Sequence, residues 1–195
     1  MATTLLLVRH GEIVRPTDTS NFDPAHLSPR GRAQLEALAA AWPTDPPDVL
    51  YASPLPRAIE SSQILGRAFG LPTIIKPCLR EWAADTSGIP QPAYVALEKR
   101  AWADLDFVPP SGESLAMAAR RARDCVTAIA VNHRGNRVAV VGHGTLFSLL
   151  TAALKRERPT EAYKASVGFS HAAIVSHASR LRLVKDFAAY GRPVG

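Results

Sequence analysis

The chain is poor in sulfur and has no long apolar run. Cys78 and Cys125 are the only cysteines among 195 residues, and their spacing matches neither a disulfide framework nor a metal knuckle. Two buried, inert thiols in a reducing compartment, the cytoplasm, are expected. No apolar stretch approaches the roughly 20 residues a membrane helix needs. Leu5 to Val8, followed at once by Arg9, is too short for the apolar centre of a signal peptide. Low-complexity segments are missing. Ser53 and Ser148 do not sit in a G-x-S-x-G elbow, and no G-x-x-x-x-G-K-S/T loop, H-E-x-x-H or C-x-x-C pair occurs. These absences argue against a serine hydrolase, a P-loop nucleotide hydrolase and a metal site.

What is present is ordinary in bulk. A hydrophobic fraction of 47% and a charged fraction of 21% fit a soluble globular chain with a sizeable core. The formal net charge of +6 favours anionic partners without choosing among them. The run Arg120-Arg121-Ala122-Arg123, with His133-Arg134 and Arg137, lacks the aromatic interleaving of a stacking surface. It reads as a solvated helix face, so neither nucleic acid nor membrane is expected as a partner. Composition carries no signal for an oligomeric state.

Strand and helix signals alternate. Leu5 to Val8 reads as a buried strand, ended by Gly11, whose backbone freedom permits a sharp turn. A polar loop from Ile13 to Leu27 follows, with Asp18 and Asp23 reading as structural. Ser28 then caps a helix with Pro29 at its first position, running to about Trp42. Val49 to Ala52 is a short strand, and Ser53-Pro54-Leu55-Pro56 opens a helix stopped by Gly70. A brief strand at Thr73 to Ile75 precedes an irregular insertion or lid at about 82–110, carrying one short helix around Pro92 to Leu105. Its Trp82, Tyr94 and Trp102 read as part of a wall or as core. A long helix from about Ser114 to His133 leads into Val138 to Val141, and a helix from Thr145 to about Lys155 follows. Strands Ala172 to His177 and Leu181 to Phe187 close the chain. The alternation predicts one α/β domain over 1–195, a three-layer α/β/α sandwich on a mostly parallel, mixed sheet.

Two strands end alike: Val8-Arg9-His10-Gly11 and Val141-Gly142-His143-Gly144. Each delivers an imidazole to the carboxyl edge of the sheet, where open α/β folds bind ligands. A single apolar-flanked histidine is usually a satisfied core residue; the repeated context makes the functional reading better. Arg9 lies between a buried strand and a glycine, so its guanidinium must find a partner, and its planar fork suits two phosphate oxygens. Arg57 lies near a helix start, where acidic side chains are normally preferred. Alone it reads as a surface arginine; beside two histidines it reads as an anion ligand.

Four pieces, in order, carry a resemblance to the histidine phosphatase superfamily, which includes phosphoglycerate mutases and many small phosphatases. They are Arg9-His10-Gly11-Glu12, Leu27-Ser28-Pro29-Arg30-Gly31 through Gln34, Ser53-Pro54-Leu55-Pro56-Arg57-Ala58, and Val141-Gly142-His143-Gly144. Gly112-Glu113-Ser114 resembles a further element. The resemblance implies a phosphoglycerate mutase-like fold and His10 as a nucleophile carrying a transient phosphohistidine. It implies Arg9, Arg57 and a charged His143 as a phosphoryl clamp, helped by the Gly144 amide, with no metal or cofactor. Glu81, in Leu79-Arg80-Glu81, matches the position of the general acid. The glycine-tryptophan-glycine pattern that normally follows is replaced by Trp82 to Gly88, which leaves Asp85 and Glu113 as rival acids. The expected partner is a small phosphate ester and the expected reaction metal-independent hydrolysis. The alternatives are mutase-type transfer and a non-catalytic phosphate-binding module.

Overall fold

The computed structural model describes residues 1–17 and 19–191; Asp18 lies outside them. Six strands form one sheet: β1 (Thr3–Arg9), β2 (Val49–Ala52), β3 (Thr73–Ile75), β4 (Arg137–Gly142), β5 (Ala172–His177) and β6 (Leu181–Ala188). Their order is β3-β2-β4-β1-β5-β6, with β1 to β4 mutually parallel, β5 antiparallel to β1 and β6 antiparallel to β5. Six helices accompany them: α1 (Pro29–Ala40), α2 (Pro56–Phe69), α3 (Gln91–Ala103), α4 (Leu115–Asn132), α5 (Gly144–Lys155) and α6 (Glu161–Ser166). The mixed sandwich is the expected one.

Alternation along β1 divides the core between two faces. Leu6 and Val8 pack with Leu35 and Leu38 of α1 and with Ala58, Ile64 and Leu65 of α2. Leu5 and Leu7 pack on the other side with Ala118, Val126 and Ile129 of α4 and Leu146, Leu149 and Leu150 of α5. A strand covered on both faces needs the continuous apolar run that Leu5 to Val8 supplies. Each such side chain contributes on the order of 1.5–3 kcal/mol on burial. Helix α5 is buried throughout its first nine residues, Gly144 to Ala152, so it runs against the sheet as a core element.

Gly11 is required for a reason other than the expected turn. It lacks a positive φ, but a Cβ there would lie 2.4 Å from the Gly31 carbonyl oxygen, and one on Gly31 would lie 2.0 Å from the Glu12 carbonyl oxygen. The two glycines let the end of β1 sit directly on the start of α1. The contact is tied by Glu12, whose side chain accepts from the Ser28 hydroxyl and whose amide donates to Gln34. Ser28 in turn caps α1 by accepting the Gly31 amide.

Two further expectations fail. Cys78 and Cys125 are not free thiols: they are joined in a disulfide, their Cα atoms 5.9 Å apart. Cys78 lies in a single 3-10 turn, Pro77–Leu79, which packs on α4 where Cys125 resides. Long-range packing of two loop-poor elements brought the pair together, which linear spacing does not reveal. Arg121 is not part of a solvated face either. It pairs with Glu113, and its Nη1 donates to the carbonyl oxygens of Cys78 and Arg80, both at 2.8 Å.

Candidate active site

The parallel strands point their carboxyl ends to one edge, and β1 and β4 are neighbours in register, Arg9 opposite Gly142. His10 and His143 therefore leave adjacent strands, their rings edge to face with centroids 5.1 Å apart. The His10 amide donates to the Gly142 carbonyl at 2.9 Å. Ser53, leaving β2 on the far side of β4, completes the row.

The His10 ring is fixed and its tautomer determined. Nδ1 lies 2.7 Å from the Gly11 carbonyl oxygen, which can only accept, so Nδ1 carries the hydrogen and Nε2 keeps its lone pair. Burial, and after it the cations of Arg57 and Arg9, push the imidazole well below its ordinary value of 6.5. It is neutral at physiological pH, the state a nucleophile needs. Arg57 is buried on α2 and donates to the Phe22 carbonyl oxygen. The Arg57 carbonyl accepts from Ser61, whose hydroxyl receives the Gly11 amide. The nucleophile's turn and the clamp's helix are thus one hydrogen-bonded unit.

His143 is completely buried. Its Nε2 lies 2.6 Å from the Ser53 hydroxyl, which also receives the Leu55 amide. When that hydroxyl gives its hydrogen to Nε2, the ring proton sits on Nδ1. That atom has no partner among the described residues. Burial first, then Arg57, His10 and Arg9, depress the His143 pKa well below 6.5. His143 is therefore neutral at physiological pH, not the charged group expected of it. Desolvation beside two guanidiniums decides this.

Glu81 and Gly144 meet at the start of α5. The helix has no side-chain cap of its own at His143; Glu81 supplies one from another segment. Its Oε2 accepts the Thr145 amide at 3.0 Å and its Oε1 the Leu146 amide at 2.8 Å. A carboxylate on the free amides of a helix N-terminus is favourable through hydrogen bonding and dipole alike. A Cβ on Gly144 would lie 3.1 Å from both Nε and Cζ of Arg9, so the glycine lets the guanidinium pack against the helix start. The rival acids are occupied elsewhere. Asp85 accepts from the hydroxyls of Ser111 and Ser87 and the amides of Ser87, Gly88 and Ile89. The Ser111 bond leads in pulling its pKa down to about 2. It is a loop organiser, and Glu113 is held by Arg121.

A cavity of about 300 Å³ opens over the row, lined by Arg9, His10 and Glu81 together with Thr145 and Phe169. Arg57, His143 and Gly144, also expected in the phosphoryl clamp, are not among its lining residues. Trp82 and Tyr94 also line it, whereas Trp102 belongs to the core. Sequence reasoning missed the loop after α6. The Val167 carbonyl accepts from Arg9 Nη1, the Phe169 ring lies 4.1 Å below Arg9 Cζ, and the Ser170 amide donates to the His10 carbonyl. Ser53 reads in the sequence as a helix start and part of a motif piece; its place directly after a short strand is the signal that it lies beside His143. Among the described residues no cluster of three metal-ligating side chains occurs, and no helix is long and apolar enough to cross a membrane.

The profile of the histidine phosphatase superfamily (branch 1) matches residues 5–185, spanning the site from β1 to β6. The chain belongs to the histidine phosphatase superfamily. Among its relatives, a metal-independent phosphoserine phosphatase of Arabidopsis thaliana is 30% identical over 156 residues, which are 73% of this chain. The chain spans 64% of the length of that protein. A mycobacterial glucosyl-3-phosphoglycerate phosphatase, solved with VO3, shares 26% identity, with a TM-score of 0.76 over 96% of this chain and 99% of the other. A phosphoserine phosphatase of Entamoeba histolytica, solved with phosphoserine, shares the fold: TM-score 0.76 at 19% identity, over 95% of this chain and 96% of the other. The match covers both strand-end histidines, His10 directly after β1 and His143 directly after β4.

Proposed function

We propose that the protein is a metal-independent phosphomonoesterase that hydrolyses a small phosphate ester through a phosphohistidine on His10. One observation carries the reading: a neutral, oriented His10 imidazole lines the cavity beside Arg9, with the buried Arg57 near enough that its charge acts on the ring. In the first step Nε2 attacks phosphorus in line, the N–P bond forms, and the P–O bond to the leaving group breaks. Glu81 gives the departing alkoxide its proton. In the second step water attacks the phosphohistidine, Glu81 takes the water's proton, and inorganic phosphate leaves with His10 neutral again.

The clamp stabilises the charge that spreads over the three equatorial oxygens. Arg9 and Arg57 supply cations, the Nδ1 hydrogen of His143 a donor otherwise without an acceptor, and Gly144 a backbone amide. Small relatives with phosphatase names and a vanadate complex support the class of chemistry. The reading takes a small phosphate ester as partner, with no metal or cofactor, and no nucleic acid or membrane. It also places the protein in the cytoplasm, against whose reducing poise the Cys78–Cys125 bond stands out. Alkylation of freshly quenched cell extract measures the fraction of that bond actually present.

The deciding experiment is phosphate release from an aryl phosphate in excess chelator, with wild type beside His10→Ala. Activity that persists in chelator and falls by at least about a thousandfold in the variant is expected when a covalent nucleophile is removed. Equal activity in the variant, or loss in chelator, overturns the proposal.

A further inference from the structure

The catalytic row explains how a phosphoryl group is held, and leaves the outer part of the cavity without a task. Four carboxylates line that cavity: Asp23, Glu81, Asp85 and Glu98. Three of them have structural partners. Asp23 pairs with Arg80, Glu81 caps α5, and Asp85 is saturated by loop donors. Glu98 is different. Among the described residues its carboxylate is paired only with Lys164, whose Nζ lies 3.3 Å from Oε1 and is in turn paired only with Glu98. The two come from α3 and α6, and both line the same cavity as Arg9 and His10.

Both are held firmly by their own elements. Tyr94, Glu98, Ala101 and Trp102 follow helical spacing along one face of α3, and Ala101 and Trp102 are buried. On α6, the Tyr163 hydroxyl donates to Asp186 at 2.5 Å and lies 2.8 Å from the Thr151 hydroxyl of α5. Lys155 closes that network on the same Asp186. Arg158, just before α6, donates to the Ala103 carbonyl at the end of α3. The pair itself is partly solvated, so it adds little to stability and opens at small cost.

Resting on the hydrolase reading above, we infer that Lys164 and Glu98 form a leaving-group subsite selecting phosphomonoesters whose alcohol carries both a carboxylate and an ammonium. Such an alcohol exchanges one partly solvated ion pair for two: its carboxylate meets Lys164 and its ammonium meets Glu98. An alcohol bearing the carboxylate alone leaves Glu98 unpaired and facing a like charge. One bearing the ammonium alone strands Lys164. Tyr94, whose phenol is pushed up to about 12 by burial and by Glu98, stays a neutral donor beside the pair.

The test uses the isosteres O-phosphoserine and 3-phosphoglycerate, which differ by an ammonium in place of a hydroxyl, with phosphoethanolamine as the ester lacking a carboxylate. Each kcat/KM is divided by that of an aryl phosphate on the same protein, so that general damage cancels. Wild type is expected to favour O-phosphoserine over both others by tenfold or more. Glu98→Gln is expected to bring O-phosphoserine and 3-phosphoglycerate to within about twofold. Lys164→Met is expected to bring O-phosphoserine down to phosphoethanolamine. Aryl phosphate turnover with no preference among the three, or a preference that survives both substitutions, overturns the subsite and leaves the hydrolysis intact. No release from any of the four esters overturns the hydrolysis, and the subsite with it.

Discussion

The Ser53 hydroxyl lies 2.6 Å from His143 Nε2 and holds that buried ring in place. The residue does its work at one remove, through a ring that has no other side-chain partner. Ser53→Ala is expected to lower kcat/KM by about tenfold to a hundredfold, since the donor to the phosphoryl group becomes a mixture of tautomers. The thermal midpoint is expected to move little. A titration with vanadate that weakens in parallel distinguishes a damaged clamp from a damaged nucleophile.

Glu81 has two tasks that substitution separates. Glu81→Gln keeps an oxygen for one α5 amide but loses the proton, so alkyl phosphates are expected to slow by about a hundredfold or more. Aryl phosphates, whose leaving groups need no acid, are expected to slow much less. Glu81→Ala also removes the helix cap, at about 1 kcal/mol of stability. Denaturant unfolding of both variants beside wild type measures that difference.

Burial lowers the pKa of both His10 and His143 in the folded chain, whereas the unfolded chain titrates near 6.5. Below that value the unfolded state binds more protons, so the stability these residues contribute is present above pH 6.5 and lost as pH falls. Melting temperature is expected to decline from about pH 6.5 downward, and less steeply in a His10→Gln, His143→Gln double variant. The acid limb of kcat/KM is expected below 6.5 for the same reason. A limb at or above 6.5 contradicts the electrostatics.

The Cys78–Cys125 bond closes a loop with a sequence separation of 47. Reduction, or Cys125→Ser, is expected to cost about 2–4 kcal/mol. Because the bond and Arg121 both grip the turn that leads to Glu81, turnover of alkyl esters is expected to fall alongside stability.

Much of this was legible in the chain itself. The strands β2, β3 and β5 lie at the residues their apolar runs mark, and His10 and His143 meet as the repeated strand-His-Gly context implies. What stayed hidden depends on distant segments. Helix α6, six residues with no buried member, has too little periodicity to register. The loop that supports Arg9 is 158 positions away in the chain. The neutral state of His143 follows from complete burial, which no local pattern states. Asp85 reads as a plausible acid until five donors converge on it.

The placement of β4 between β1 and β2 bears on how the enzyme is made. During synthesis β1 and β2 emerge long before the strand that must be inserted between them, so β1 has no final partner, and β2 none but β3, while they wait. Its apolar strand edges are exposed over that interval and invite association with other nascent chains. The site is then completed only late in synthesis, when β4 delivers His143 beside His10 and the loop at 167–170 closes on Arg9.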